Sequence, residues 1–415
     1  MGAAPPRRRA RPQRYQLGKQ ALAVLASGHP WIFRGLTSSA TAALADGQWL
    51  ALVDGANRVV GHGVYAAAGA IAIRVLARGP ERPTGATFAA RIERAIAARE
   101  RLRAETDGVR WLHGESDGVP AVTVDGYGPV IVAHAYAAGV DGLARFAAVR
   151  VARAIGATGV VVAAGHRRIA AGAEAGGGAG AGAGAGQKAA RAARVIAGAV
   201  PDEAPFREGP LALVARPLSG QKTGTFLDLR GLRRHLAASP LAGARVLNLF
   251  AYTGTLGLAC EHAGAASIVS VDRAADALAL AARHHVRDPD RHRFVTADVF
   301  DWLPRAPAGE AYDLVIVDPP SMTSRMEQVP QALAAYRRLH RAAAARVAPG
   351  GTLVLACCTS RLERRRFREA ALAAVGDRFA LAHELPPEAD HPVGFPEADY
   401  LKILVLRERA ARPSA

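Results

Sequence analysis

Asn248-Leu249-Phe250-Ala251-Tyr252-Thr253-Gly254 ends an apolar run that starts at Arg245 and leads into a segment of helical pattern from Thr255 to His262. The run predicts a strand over Arg245 to Phe250, then a small polar turn, then a helix. A strand-turn-helix of this kind brings backbone N–H groups and a helix N-terminus to one crevice, where a carboxylate is held well. A nicotinamide dinucleotide would want G-x-G-x-x-G here, and Tyr252-Thr253-Gly254-Thr255-Leu256-Gly257 supplies only Gly254 and Gly257. The dinucleotide fingerprint fails.

Outward from this loop, further strand candidates follow at Ser267 to Val271, Arg293 to Thr296, Asp313 to Val317, Thr352 to Ala356 and Tyr400 to Leu406. Helical segments fall between most of them, including Ala274 to His285 and Gln331 to Val347. Strands alternating with helices predict an α/β, doubly wound, mostly parallel sheet from about residue 205 onward, with ligands at the carboxyl ends of its strands. Asp272 ends the second strand, placed to accept hydrogen bonds from both hydroxyls of a ribose. Asp298 follows the third, placed to meet an adenine amino group. Together with a turn suited to the methionine carboxylate, these residues point to S-adenosylmethionine. Phe250, Tyr252, Thr253, Gly254, Asp272 and Asp298 are the candidate cofactor-binding residues. Taken singly, each aspartate also suits the N-cap of the next helix, and Phe250 and Tyr252 suit packing.

The fourth strand ends in Asp318-Pro319-Pro320-Ser321. Two prolines after a carboxylate make a stiff turn that fixes the acid beside a planar target, so Asp318 is a candidate for both cofactor and substrate contact, with Pro319 and Pro320 against the base. A related turn ending in an aromatic residue supports amino-group methylation of bases, and Ser321 stands where that aromatic would be. The fifth strand ends in Ala356-Cys357-Cys358-Thr359-Ser360. Side chains alternate along a strand, so one of the two cysteines faces the cleft if the strand reaches that far. Carbon 5 of cytosine is a poor nucleophile. A thiolate adding to carbon 6 turns the ring into an enamine that accepts a methyl group at carbon 5. Cys358 is the candidate nucleophile, Cys357 a candidate buried strand thiol and Cys260 a helix-core thiol. No residue is assigned as the base for the carbon-5 proton.

The chain resembles the bacterial large-subunit (23S) ribosomal RNA cytosine-5 methyltransferase family, which joins a PUA domain, a hairpin-containing middle domain and a Rossmann-like catalytic domain. His29-Pro30-Trp31-Ile32-Phe33-Arg34-Gly35 is similar to the family's PUA signature, and Gly114-Glu115-Ser116-Asp117-Gly118-Val119-Pro120 to its middle-domain signature. Gln221-Lys222-Thr223-Gly224-Thr225-Phe226-Leu227-Asp228-Leu229-Arg230 resembles the segment that borders the cofactor pocket. Asp390-His391-Pro392 and Tyr400-Leu401-Lys402 resemble the closing strands. The resemblance implies roles for Lys222 and Thr223 at the cofactor, for Trp31 and Arg34 at RNA, and for Cys358 as the nucleophile of a turn that is Ser-Cys-Ser in the family. Here Cys357 and Thr359 replace the two serines. Trp31 also suits the core of a small barrel.

Bulk properties agree with an RNA partner. The 415 residues carry a formal charge of +17, and cations placed near phosphates release condensed counterions. An Arg- and Ala-rich composition of the kind a GC-rich genome produces would raise the charge as well. Length favours two or three domains: a basic arm over residues 1–14, a small β-barrel PUA-like RNA-binding domain over 15–82, an α+β middle domain over 83–204 and the methyltransferase domain over 205–415. A flexible Gly/Ala insertion is expected at 171–187. Three cysteines match no zinc or disulfide spacing, so no metal is expected and a reducing, cytoplasmic setting fits. No apolar run is long enough to span a membrane. The expected partner is ribosomal RNA, and a homodimer is compatible with the chain. Two other functions compete: amino-group methylation of guanine (N2) or adenine (N6) through Asp318-Pro319-Pro320, and a non-catalytic RNA-binding or ribosome-assembly role.

Overall fold

A computed structural model describes residues 12–164, 193–219, 221–307, 309–323 and 325–409. The chain forms two compact units. The first is 1–98, 111–125 and 129–200; the second is 99–110, 126–128 and 201–415.

The first unit opens with β1 (Gln13–Gln16), α1 (Lys19–Ala26), β2 (Trp31–Phe33), β3 (Trp49–Val53), β4 (Val59–Tyr65) and β5 (Ile71–Arg78), which form a five-stranded sheet in the order β1-β3-β4-β5-β2. The β1–β3 pair is parallel and the others are antiparallel. Val, Ile and Leu dominate β3 to β5, and their inward side chains join Tyr15, Leu25 and Ile32 in one core. Gly63 is required there, since a Cβ would stand 2.5 Å from Ile73 Cγ2. The strand β1 includes Gln13 and Arg14, which the sequence assigns to a basic arm. Only Tyr15 of the strand is buried, so no apolar period announces it. Residues 1–11 of that expected arm lie outside the described residues.

Next come α2 (Gly85–Arg99), β6 (Gly108–His113), β7 (Val122–Tyr127), β8 (Val130–Ala135), α3 (Asp141–Ile155), β9 (Gly159–Ala164) and β10 (Ala193–Ala197), with sheet order β10-β9-β8-β7-β6. After Arg99, α2 gives way to a 3-10 turn, Glu100–Ala104. The strand β7 continues through Tyr127, whose ring is buried. The Gly/Ala insertion at 171–187 lies outside the described residues.

The 201–415 part of the second unit begins with a hairpin, β11 (Ala204–Glu208) and β12 (Leu211–Ala215), and α4 (Arg230–Ala237). It continues as β13 (Arg245–Leu249), α5 (Thr255–His262), β14 (Ser267–Asp272), α6 (Ala275–His284), β15 (His292–Thr296), α7 (Val299–Arg305), β16 (Tyr312–Val317), α8 (Val329–Ala344), β17 (Val347–Cys357), α9 (Arg364–Val375), β18 (Phe379–Leu385) and β19 (Lys402–Glu408). The seven-stranded order is β15-β14-β13-β16-β17-β19-β18. The first five strands in that order are parallel, and β19 runs antiparallel between β17 and β18. The order reverses at β13, with β14 on one side and β16 on the other. That switch point opens a crevice beyond the carboxyl ends of β13 and β16. Pro349-Gly350-Gly351, which reads as a turn before a strand, is a bulge inside β17, where the register with β16 jumps from Tyr312↔Val347 to Leu314↔Thr352. One core cluster joins the central strands to α8 and α9 through Tyr336, Leu339, Phe367 and Ala371. Among the described residues no helix is long and apolar enough to cross a membrane.

Candidate active site

The loop after β13 is held in an unusual backbone. Phe250, Tyr252 and Gly254 have φ of 60°, 47° and 72°. For a non-glycine residue the left-handed region costs roughly 1–2 kcal/mol, so two bulky residues there need external restraint. Ala251 N–H donates to Val271 O at 3.1 Å, and Thr253 Oγ1 donates to Gly224 O at 2.9 Å. Asp272 Oδ2 accepts from Tyr252 N–H at 2.8 Å while its Oδ1 accepts from Ala274 N–H at 2.8 Å. The carboxylate thus ties the first loop to the second. Gly254 is the last residue before α5, and a Cβ on it would lie 2.7 Å from Ala281 Cβ.

Aromatic rings flank the loop. Phe250 meets Phe300 edge-on at 5.7 Å, and Tyr252 meets Phe226 at 5.4 Å. The second contact brings the Gln221–Arg230 segment against the loop. Within that segment Thr223 is buried with φ 72°, and its Oγ1 is hydrogen-bonded to Tyr127 OH. The Lys222 side chain lies outside the described atoms. Asp298 is exposed and caps α7, with Oδ1 accepting from Phe300 N–H at 2.8 Å. Both aspartates therefore do structural work: Asp298 is the N-cap its alternative reading anticipates, whereas Asp272 is not, because Ala274 stands at the N-cap of α6 and the Asp272 carboxylate ties two loops instead.

Asp318 follows β16 and is half-buried; its N–H points to Leu249 O at 3.4 Å, across the switch point. Pro319 is buried and Pro320 exposed. The two cysteines part company at the end of β17. Cys357 is wholly buried in the core cluster. Cys358 is half-buried, and its Sγ lies 3.7 Å from Pro319 O. Thr359 is wholly buried, and its Oγ1 accepts from Met322 N–H at 3.2 Å and lies 2.9 Å from Tyr336 OH. Cys358 and the Asp318-Pro319-Pro320 turn are thereby brought together at the ends of neighbouring strands. Cys260 is buried in α5, where burial raises its pKa.

In the first unit, Trp31 Nε1 donates to Glu115 Oε1 at 2.8 Å, and the guanidinium of Arg74 lies over the Trp31 ring while pairing with Glu115. Arg34 donates to Gly69 O at 2.8 Å and to Ala66 O at 2.6 Å. Both side chains thus brace the PUA-like sheet as well as reaching its surface.

The sequence over 212–407 matches the family model described as S-adenosylmethionine-dependent methyltransferase, and 16–78 matches that of a PUA-like domain. A "Ribosomal RNA large subunit methyltransferase" of Deinococcus radiodurans is 35% identical over 95% of this chain and 97% of its own length. A "Ribosomal RNA large subunit methyltransferase I" of Shewanella amazonensis is 31% identical over 91% and 95%. A Streptococcus mutans chain assigned as a SAM-dependent methyltransferase superposes with TM-score 0.79 at 20% identity, over 95% of this chain and 100% of its own. A further solved chain, assigned as a methyltransferase and complexed with SAH, gives 0.78 at 19% over the same shares. This chain belongs to the large-subunit ribosomal RNA methyltransferase family.

As a member of that family, the chain is an S-adenosylmethionine-dependent methyltransferase. The donor set at the switch point fits the cofactor. Two acids lie at successive strand ends beside a loop and helix N-terminus rich in N–H groups, a pattern that matches hydroxyls and an amine at one end and a carboxylate at the other. Sequence reasoning missed His285, which is buried and hydrogen-bonded through Nδ1 to Thr253 O at 2.5 Å and through Nε2 to Val214 N–H at 3.1 Å. It also gave no role to Tyr336 or Lys402. A histidine following a helix carries no local signal of its partners, which come from a hairpin and a loop distant in sequence.

Proposed function

We propose that this enzyme methylates carbon 5 of a cytosine in large-subunit (23S) ribosomal RNA, with Cys358 as the nucleophile. The observation that carries the reading is the placement of the half-buried Cys358 thiol 3.7 Å from the Pro319 carbonyl, beside the Asp318 turn, while Cys357 is buried in the core. The names of its relatives supply the substrate class.

S-adenosylmethionine, when bound, supplies an electrophilic methyl group on a sulfonium. The loop N–H groups and the start of α5 would hold its carboxylate, Asp272 would accept from the ribose hydroxyls, and Asp298 from the adenine amine. Lys222 and Thr223 border the same pocket. Asp318 would accept a hydrogen bond from the exocyclic amine of the flipped cytosine, or from ring nitrogen 3 once that nitrogen carries a proton, with Pro319 and Pro320 limiting tilt of the ring. The Cys358 thiolate would bond to carbon 6 as the 5,6 double bond opens, and carbon 5 would take the methyl group as its bond to the sulfonium breaks, leaving a neutral thioether. Loss of the carbon-5 proton restores the double bond and expels the thiolate. Trp31, Arg34 and the basic surface contribute to RNA binding through backbone and shape.

Nucleoside mass spectrometry of ribosomal RNA from a deletion strain tests the reading. Loss of one 5-methylcytidine in the large-subunit RNA, restored by the wild-type gene and not by Cys358→Ala, is the expected outcome. Loss of a methylated guanine or adenine instead would assign the chemistry to the amino-group reaction. An unchanged profile would leave only the binding role.

A further inference from the structure

Behind the cysteine turn lies a buried cation. Lys402 opens β19, pairs with Cys357 in the ladder and is wholly inaccessible. Its Nζ donates to Thr359 O at 3.0 Å and to Tyr400 O at 3.1 Å. Both partners are neutral carbonyls, so they satisfy the ammonium without cancelling its charge, and in a buried site that charge acts strongly on its neighbours.

The groups around it decide where the field falls. Burial pulls the Lys402 pKa down. Cys357, Asp399 and Cys358 pull it up, and Arg364 pulls it down. Arg364 on α9 is engaged by Asp399 at 3.0 Å and by Glu384 of β18 at 3.2 Å, and Glu384 also pairs with Arg368 at 3.1 Å, so those charges largely neutralise one another. Tyr336 on α8 faces the same cysteines, and burial pushes its phenol far up, keeping it neutral. Of the groups acting on Lys402, the two thiols remain, and Cys357 is sealed in the core; the Asp318 turn lies beside Cys358, and its carboxylate opposes the thiolate that Lys402 favours.

Thr359, the residue after Cys358, is also gripped from two sides. Lys402 holds the Thr359 carbonyl, while Thr359 Oγ1 meets Met322 N–H at 3.2 Å and Ser321 Oγ at 3.4 Å, both directly after the Asp318-Pro319-Pro320 turn.

We infer that Lys402 is a positioning residue that, through the Thr359 carbonyl, locks the residue after Cys358 against the Asp318 turn and stabilises the Cys358 thiolate. Its purpose rests on the proposed thiol chemistry, but its test does not. Iodoacetamide labelling of the full chain, read at the Cys358 peptide by mass spectrometry across pH, reports thiolate formation directly. For wild type, half-maximal labelling is expected below the ordinary thiol value of about 8.5. Lys402→Gln keeps hydrogen-bond donors without the charge, and it should move that midpoint up by about one unit, so labelling at neutral pH drops about tenfold. Lys402→Arg should keep the wild-type profile. Binding of S-adenosylmethionine, followed by calorimetry, should change little in Lys402→Gln, which separates loss of the field from collapse of the fold. A wild-type midpoint at or above about 8.5 overturns the inference even if no variant folds. So does an unshifted midpoint in Lys402→Gln. If methylation proves independent of Cys358, the function falls while the labelling result stands on its own.

Discussion

His285 makes the cofactor loop sensitive to acid. Because Val214 N–H donates to Nε2, that nitrogen must carry a lone pair, so the proton sits on Nδ1 and is donated to Thr253 O. A second proton would have to point at Val214 N–H. Burial, opposed in part by the Thr253 bond, pushes the pKa down to about 4 from an ordinary 6.5. The unfolded chain therefore binds a proton as pH falls below 6.5, whereas the native state refuses it until about pH 4. The stability this contributes is complete above 6.5 and is lost on the way down to the folded value. The full depression corresponds to roughly 3 kcal/mol, of which about 2 kcal/mol falls between pH 7.5 and 5. His285→Gln supplies an acceptor and a donor without a titration. Urea unfolding of the full chain, followed by circular dichroism at the two pH values, should show wild type losing about 2 kcal/mol more than the variant. His340, pushed down to about 3 by burial, is common to both proteins and cancels. Equal losses would refute the assigned tautomer and the loop-holding role.

Other substitutions probe the same architecture. Gly254→Ala puts a Cβ 2.7 Å from Ala281 Cβ at a φ of 72°; it should destabilise the second unit by about 1–3 kcal/mol and weaken S-adenosylmethionine binding, seen by melting and calorimetry. Asp272→Asn leaves the amide unable to accept as a carboxylate does from Tyr252 and Ala274 N–H, so cofactor affinity should fall at least about tenfold by calorimetry. Asp390→Ala strips the buried Arg230 of its 2.7 Å carboxylate partner; a loss of about 3–5 kcal/mol in urea unfolding is expected, and a loss under about 1 kcal/mol would mean that Glu388 and Glu208 suffice.

What was legible in the sequence is what repeats locally. The parallel strands β13, β14, β16 and β17 announce themselves as apolar runs, and α5 occupies the predicted Thr255–His262. The strand β18 does not, because most of its residues after Phe379 are exposed or half-buried at the sheet edge. The hairpin Ala204–Ala215 falls where composition suggested only a domain boundary. The ends of β14 and β16 carry acids that a reader of strands can find, yet the double duty of Asp272 depends on the left-handed Tyr252. The buried network joining Glu208, Arg230, Arg233, Glu388 and Asp390 is assembled from segments far apart in the chain. As letters those residues read as surface charge. The same holds for Lys402, an apparent strand-end cation whose burial follows from its place between β17 and β18.

The central claim is that one thiol carries methyl transfer to carbon 5 of a ribosomal cytosine. Incubating the purified chain with large-subunit RNA from a deletion strain and methyl-labelled S-adenosylmethionine, then resolving the labelled nucleosides, tests it most directly. The account predicts label in 5-methylcytidine alone, lost in Cys358→Ala and retained in Cys357→Ala. Undiminished labelling by Cys358→Ala, or label in a methylated guanosine or adenosine, would contradict it.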